Sequence, residues 1–235
     1  MIWILVILAG CGGGSGRKET NTGETVGITT ILIPLYSYPV GEYEDEHRKL
    51  AQLQTNKEII LVANPDNGPG SRLDENYTRL IRTYKERGFK VVGYLFTNYG
   101  SRSLQAVRED MDKYMRFYPQ VDGFFVDEVS NSTSKLDYYR EIAQYSRLLG
   151  KSLLVFNPGT RVPVEYYTLA DRIVVFEQSA EFMFRNYGGY TANPKDCFLV
   201  YGVGNRNLAE EAYNFVRSRG GRMLVYVKRK PSQLV

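Results

Sequence analysis

The sequence predicts a single (β/α)8 barrel, and three observations support this fold class. Eight apolar runs recur along the 235 residues, most of them end in polar residues, and helical segments separate most of them. Near-continuous runs of Val, Ile, Leu and Phe are typical of parallel strands covered on both faces, and eight strand–helix units make such a barrel. The runs begin near Ile28, Ile59, Lys90, Val121, Ser152, Ile173, Phe198 and Met223, and the first five starts are 31 residues apart.

The individual elements follow from these runs and from helix-capping signals. Gly88 and Gly150 end the second and fourth helices, as glycine does after a helix, and Asn207 with Glu210 forms a capping box for the last helix. The predicted strands cover residues 28–35, 59–63, 90–96, 122–126, 152–156, 172–176, 198–203 and 222–227. The predicted helices cover residues 42–53, 73–87, 103–117 and 134–149, with a shorter one at 164–170 and one opening at Asn207.

An open, doubly wound parallel sheet is the alternative architecture. That fold binds dinucleotides through a GxGxxG fingerprint after its first strand, whereas Pro34-Leu-Tyr-Ser-Tyr-Pro39 stands there. The count of eight strands therefore favours the closed barrel.

Composition excludes several classes of function. The net charge of +4 comes from 30 basic and 26 acidic residues without a basic block, so no nucleic-acid surface is indicated. His47 is the single histidine and lies in a charged run that predicts a solvated helix face. Cys11 and Cys197 lack the spacing of a zinc site or a disulfide framework. We expect a monomer with no metal and no cofactor.

The N-terminal residues predict export and lipid anchoring. Residues 1–10 are apolar but too short to span a bilayer, and they are typical of an export signal. Leu8-Ala-Gly-Cys11 resembles a bacterial lipobox, which would make Cys11 the lipidated first residue of the mature chain, and residues 11–27 form a flexible tether to a catalytic domain at 28–235. No Lys or Arg precedes the apolar run, which departs from that pattern; a buried N-terminal strand is the alternative.

Candidate functional residues lie at the strand ends, because catalytic groups of such barrels sit at the carboxyl ends of the strands. These positions carry carboxylates, amides and tyrosines: Tyr36, Tyr38, Asn64, Asp66, Tyr99, Arg102, Asp127, Glu128, Asn157, Glu177, Tyr201, Asn205, Tyr226 and Lys228. Glycoside hydrolysis requires two carboxyl groups on either side of the bond that is cleaved. One must be protonated so that it can give its proton to the leaving oxygen, and the other must be ionised so that it can attack or activate water.

Three carboxylates are the strongest of these candidates. Asp127 and Glu128 end an apolar run, but successive strand side chains point to opposite faces, so both can face the barrel interior only if the chain bends. Asp127 could instead cap the following loop. Glu177 ends the run Ile-Val-Val-Phe, where a charge is costly without a purpose. The Asn-Pro pairs at Asn64 and Asn157 are also compatible with plain turns, and most of the 19 tyrosines with packing.

Several motifs, in this order and spacing, resemble the spherulin-4 family from about residue 30 to the eighth strand. They are Leu32-Ile-Pro-Leu-Tyr-Ser-Tyr-Pro39, Asn64-Pro-Asp-Asn-Gly-Pro-Gly70, Gly93-Tyr94, Tyr99-Gly-Ser-Arg102 and Asp122-Gly-Phe-Phe-Val-Asp-Glu128. The resemblance implies a secreted endo-acting glycoside hydrolase with a (β/α)8 barrel that cuts α-1,4-linked, partly N-acetylated galactosamine polysaccharides. It implies catalytic roles for Asp127, Glu128 and Glu177. The regions after strands six and eight are short for this family.

Substrate contacts are expected from Tyr36, Tyr38, Asn64, Tyr99, Arg102, Asn157 and Tyr201. Two other functions remain open. One is a non-catalytic polysaccharide-binding envelope lipoprotein, for which the tyrosines would suffice. The other is a phosphosugar isomerase or aldolase, with phosphate at Gly202-Val-Gly204 and a Schiff base at Lys228; an export signal argues against it.

Overall fold

The computed structural model describes residues 27–227, with side chains to Val225. Eight parallel strands pair in chain order and close into a barrel through Thr30 and Met223, which confirms the predicted fold class. The strands are β1 (Thr30–Leu35), β2 (Glu58–Ala63), β3 (Lys90–Phe96), β4 (Gly123–Asp127), β5 (Leu153–Phe156), β6 (Arg172–Ser179), β7 (Asp196–Tyr201) and β8 (Met223–Val227). The predicted export signal, lipobox and tether, and Lys228, lie outside the described residues.

Six α-helices surround the barrel in this part of the chain. They are α1 (Glu44–Ala51), α2 (Glu75–Glu86), α3 (Leu104–Phe117), α4 (Leu136–Leu148), α5 (Ala180–Asn186) and α6 (Arg206–Ser218). A 3-10 helix, Val164–Thr168, stands between β5 and β6 in place of the short helix predicted there. Within residues 27–227, no helix has the length and apolar character needed to cross a bilayer.

Two apolar cores result from the alternation of side chains along the strands. One lies inside the barrel and contains, among others, Leu32, Val92 and Phe125; the other lies between the barrel and the helices. In β4, for example, Phe124 and Val126 pack outward while Phe125 packs inward. Residues that continue the inward alternation past the last apolar layer therefore reach the open end of the barrel at the carboxyl ends of the strands, which we call the mouth.

The region from β6 to α6 differs most from the sequence-based prediction. The strand β6 continues to Ser179, and α5 follows at once, capped by the Ser179 hydroxyl, which accepts from Phe182 N at 3.3 Å. This helix was not predicted. Helix α6 is capped by Asn205, whose Oδ1 accepts from Leu208 N at 2.9 Å, so the predicted capping box at Asn207 is wrong by two residues.

His47 is buried, contrary to the prediction of a solvated position. Its Nε2 lies 3.1 Å from Ser37 Oγ and its Nδ1 2.9 Å from the Tyr84 hydroxyl. Burial lowers the pKa of His47, because the charged imidazolium loses its hydration. His47 and Leu50 are the buried residues of α1. The charged residues around them in the sequence gave no indication of this buried face.

Gly93 in β3 is required by close packing. A β-carbon at this position would lie 2.7 Å from the ring of Tyr114, which is fully buried between barrel and helices. The Tyr114 hydroxyl donates to Ala63 O at 3.1 Å, which holds its ring in place.

Candidate active site

One amide nitrogen joins two carboxylates at the mouth. Asn157 Nδ2 donates to Asp127 Oδ1 at 2.8 Å and to Glu177 Oε2 at 2.7 Å. Since both oxygens contact one nitrogen, they lie within about 5.5 Å of each other. Asn157 is itself buried, and its Oδ1 accepts from Gly159 N at 3.0 Å, so the asparagine plane is held at both ends. Asp127 ends β4, Asn157 follows β5, and Glu177 lies two residues before the end of β6; the three strands are neighbours in the barrel.

A β-bulge in β6 turns Glu177 into the barrel. Val174 pairs with Cys197 and Phe176 with Phe198, so that Val175 is an extra residue in this strand. Val174 packs inside the barrel, whereas Val175 and Phe176 both pack outside. The next residue, Glu177, therefore faces inward beside Leu199 of β7. Without the bulge, strict alternation would direct Glu177 outward, and bulges next to active sites commonly re-aim a side chain in this way.

Asp127 is surrounded by hydrogen-bond donors. Its Oδ2 accepts from the Tyr94 hydroxyl at 2.8 Å, and its Oδ1 accepts from Glu128 N at 2.9 Å as well as from Asn157. Burial raises the pKa of Asp127, and these three donors lower it in part. Donors favour the ionised carboxylate, because an ionised carboxylate only accepts hydrogen bonds.

The environment of Glu177 favours the ionised form less than that of Asp127 does. Burial raises its pKa, the Asn157 amide lowers it, and the nearby charge of Asp127 raises it again. Asn157 is its only hydrogen-bond donor among the described residues. Two carboxyl groups this close cannot both ionise readily, and the one with fewer donors keeps the proton.

The backbone bends at Glu128, the residue directly after β4. Its φ of 51° is left-handed, which interrupts the strand alternation that would otherwise direct its side chain away from that of Asp127. The side chain is half-buried and has no hydrogen bond within the described part of the chain. Burial raises the pKa of Tyr94, and the charges of Asp127 and then Glu128 raise it further.

Tyr36 and Tyr201 line the mouth beside the carboxylates. The ring of Tyr36 meets that of Tyr94 edge-on, with centroids 5.9 Å apart. Burial and then the charge of Asp127 raise the pKa of Tyr36, and burial and the charge of Glu177 raise that of Tyr201. The Tyr201 hydroxyl donates to Gln178 Oε1.

Tyr99 and Tyr38 are the exposed aromatic residues among the predicted substrate contacts. Tyr99 is 60% exposed, and its backbone N–H donates to Glu128 O at 2.7 Å, so the loop that carries this residue is bound to the residue after Asp127. Tyr38 is 43% exposed, but its hydroxyl is bound to Asp74 Oδ2 at 3.0 Å and to Asn76 Nδ2 at 2.7 Å, at the start of α2. Of these two tyrosines, Tyr99 is the one whose backbone contacts the strand end that carries Asp127 and Glu128.

Asn64 and Arg102 have protein partners of their own. Asn64 Oδ1 accepts from Gly68 N at 2.9 Å and shapes the loop after β2. The Arg102 guanidinium lies 4.2 Å from the Phe96 ring centre and binds Asp110 Oδ2 at 2.5 Å. The structure brings neither side chain into contact with the three carboxylates, and both organise loops.

The sequence-based prediction missed the functional position of Tyr94. This residue lies two positions before the end of β3, so a search restricted to strand ends passes over it. The available signal was a tyrosine at an inward position of a strand, where a buried hydroxyl needs a partner.

The mouth carries negative charge without a paired cation. None of the ion pairs within residues 27–227 includes Asp127, Glu128 or Glu177. The same residues contain no group of three or more His, Cys, Asp or Glu placed to hold a metal ion. At the Gly202-Val-Gly204 loop, the Asn205 side chain already occupies Leu208 N of α6, one of the donors that a phosphate at this helix end would use.

Comparison with known proteins places the chain in a family. The profile of spherulation-specific family 4 matches residues 30–229. The chain belongs to this family. Spherulin-4 of Physarum polycephalum is 35% identical over 164 residues, which are 68% of this chain and 48% of that protein. This spherulation-specific family 4 chain thus spans about half the length of that relative.

Solved structures support the barrel fold of this family member. Sph3 of Aspergillus clavatus, crystallised in complex with GalNAc, superposes with a TM-score of 0.78 at 23% identity, covering 90% of this chain and 93% of that one. The N-terminal domain of a putative aldolase from Bacteroides vulgatus superposes with a TM-score of 0.51 at 11% identity, covering 83% and 71%. At these identities the likeness concerns the fold, and the reaction must be argued from the site.

Proposed function

We propose that this protein is an endo-acting glycoside hydrolase that cleaves an amino-sugar polysaccharide with retention of anomeric configuration. The observation that carries the proposal is the Asn157 amide, which holds an oxygen of Asp127 and an oxygen of Glu177 at 2.8 and 2.7 Å. Carboxyl groups about 5–5.5 Å apart suit a retaining mechanism, whereas inversion needs about 6.5–9.5 Å to admit a water molecule.

The hydrogen-bond environments support one assignment of the two roles. Asp127 accepts three hydrogen bonds, which favour its ionised form, so it is the nucleophile. Glu177 accepts one and lies beside a negative charge, so it keeps its proton at higher pH and is the general acid.

The reaction then proceeds in two steps. An Asp127 oxygen bonds to the anomeric carbon while the bond to the leaving oxygen breaks and Glu177 protonates that oxygen. This gives a glycosyl ester on Asp127 and an ionised Glu177. A water molecule next gives a proton to Glu177 and attacks the anomeric carbon, which frees Asp127 and restores the starting protonation.

The substrate class follows from charge and aromatic residues at the mouth. The carboxylates of Asp127 and Glu128 are in no ion pair within residues 27–227, and their negative charge attracts a cationic polymer, as a partly deacetylated amino-sugar chain would be. Tyr36 offers its ring beside Tyr94, the partner of Asp127, and Tyr99 offers an exposed ring on the neighbouring loop after β3. The complex of Sph3 with GalNAc supports a galactosamine-containing polymer, and we propose the α-1,4-linked one.

The test measures reducing ends released from α-linked galactosamine polymers acetylated to different degrees. Asp127→Asn and Glu177→Gln are expected to lower turnover on the order of 10² to 10⁴-fold while polymer binding survives. Glu165→Gln is the matched control, since Glu165 is an exposed glutamate after β5 and its loss should leave turnover unchanged. NMR of the first product should show the α anomer.

Other outcomes separate the alternatives. A β first product would exclude the retaining assignment. Near-parental activity in both variants would remove Asp127 and Glu177 from the mechanism. A parent that binds the polymers without cutting any of them would favour a non-catalytic polysaccharide-binding protein.

We also propose that the protein is exported and anchored to the cell envelope by a lipid on Cys11. The support is the lipobox-like Leu8-Ala-Gly-Cys11 followed by a glycine-rich segment. Cys11→Ala should release the protein from the membrane fraction or block its processing. Ser15→Ala is the control: Ser15 lies in the same glycine-rich segment but outside the lipobox-like residues, so this variant should fractionate like the parent. Unchanged fractionation and migration of Cys11→Ala would exclude the anchor.

A further inference from the structure

The backbone at Glu128 is held in a conformation that its side chain opposes. A φ of 51° is left-handed, which a residue with a β-carbon rarely adopts because that carbon crowds the carbonyl oxygen. Asn98 and Tyr99, on the neighbouring loop after β3, are left-handed as well, with φ of 47° and 54°. Residues in such conformations persist only where surrounding contacts hold them.

Thr97 supplies those contacts. It is fully buried, its backbone N–H donates to Asp127 O at 3.1 Å, and its hydroxyl lies 2.8 Å from Glu128 O. The Tyr99 N–H donates to the same Glu128 oxygen at 2.7 Å. The Glu128 carbonyl therefore receives two donors from the loop after β3, and the turn at Glu128 is fixed from outside its own strand.

Tyr139 of α4 orients the Thr97 hydroxyl. The Tyr139 hydroxyl accepts from Ser130 N at 2.7 Å and lies 3.2 Å from Thr97 Oγ1. The Thr97 hydroxyl has two carbonyl oxygens as acceptors, Glu128 O at 2.8 Å and Asp127 O at 3.1 Å, and the contact with Tyr139 holds it beside both of them. Both side chains are fully buried, so water does not replace either partner.

The result of this arrangement is a carboxylate without a protein partner. Asp127 and Glu177 are both hydrogen-bonded, but the half-buried Glu128 side chain has no hydrogen bond within residues 27–227. Glu128 directly follows β4, at the carboxyl end of the barrel, and a carboxylate there without a partner among the described residues is available to a donor from outside the chain.

We propose that Thr97 is a positioning residue that holds Glu128 in its left-handed turn, so that the Glu128 carboxylate accepts a hydrogen bond from an O–H or N–H group of the sugar. This assignment rests on the proposed glycosidase function. It gives Glu128 a substrate-binding role and leaves proton transfer and nucleophilic attack to Glu177 and Asp127.

A double-mutant cycle on kcat/KM tests the coupling. Glu128→Gln should lower kcat/KM on the order of 10- to 100-fold, because a charge-assisted hydrogen bond is lost. Thr97→Val should lower it about tenfold, and Thr97→Ser, which keeps the hydroxyl, should restore it. In the Glu128→Gln background, Thr97→Val should lower kcat/KM only slightly further. Thr83→Val is the control, since it removes a hydroxyl bound to a carbonyl oxygen in α2, at 3.0 Å.

Equal losses from Thr97→Val with glutamate and with glutamine at position 128 would overturn the proposal, because a general structural defect acts in both backgrounds. So would parental kinetics of Thr97→Val. These outcomes differ from failure of the proposed function, in which the parent itself releases no reducing ends.

A stability measurement tests the backbone part without activity. Glycine adopts a left-handed φ freely, so Glu128→Gly should melt at a higher temperature than Glu128→Ala. In the Thr97→Val background this difference should shrink, because the turn can relax. An alanine variant as stable as the glycine variant, or a difference that Thr97→Val leaves unchanged, would overturn the positioning role even if the parent is inactive.

Discussion

Asn157→Ala is the substitution that examines the proposed site most directly, because one side chain serves both carboxylates. Asn157 donates at 2.8 Å to Asp127 and at 2.7 Å to Glu177, and each hydrogen bond is worth about 1.5–3 kcal/mol when the carboxyl group that accepts it is ionised. One pKa unit corresponds to about 1.4 kcal/mol. With water replacing part of each lost bond, we expect the pKa of both carboxyl groups to rise by about one unit.

The pH–activity profile measures this change. Activity requires ionised Asp127 and protonated Glu177, so the acidic limb reports loss of the nucleophile and the basic limb loss of the acid. The Asn157 amide lowers the pKa of both groups. Its removal should therefore move both limbs to higher pH by about one unit, and because the groups are coupled, the profile shifts as a whole.

Asn193→Ala is the matched control. Asn193 and Asn157 both precede proline, and each accepts from the backbone N–H two residues on, at 3.0 Å. Asn193 lies before β7, at the opposite end of the barrel from the mouth. The control should keep the parental profile. A profile unchanged in Asn157→Ala, or shifted equally in Asn193→Ala, would refute the bridging role.

Three further outcomes are expected. Glu177→Gln should raise the melting temperature at pH 7, because burial raises the pKa of Glu177 and the folded state disfavours its charge; the gain should disappear at about pH 3, where the carboxyl group is protonated in both folded and unfolded chains. Tyr94→Phe removes the 2.8 Å hydrogen bond to Asp127 and should lower kcat about tenfold with an unchanged circular dichroism spectrum. Gly93→Ala places a carbon 2.7 Å from the Tyr114 ring and should destabilise by about 1–3 kcal/mol in urea unfolding; an unchanged midpoint would show that the ring moves aside freely.

Local sequence patterns determined the fold class and the positions of the main candidates. Apolar runs of strand length, separated by helical segments, are readable without knowledge of distant contacts, and all eight predicted strands are present. A polar residue at the end of such a run is equally local, so the sequence alone placed Asp127, Asn157 and Glu177 near the ends of consecutive strands.

The tertiary structure decided how those residues are used. The inward direction of Glu177 depends on one extra residue in β6, and no local signal distinguishes Val174 to Phe176 from a regular strand. The bridging amide of Asn157 reads in the sequence as an ordinary turn. The bend at Glu128 depends on Thr97, 31 residues away. These features arise from contacts between strands, whereas the sequence pattern reports only the period within one strand.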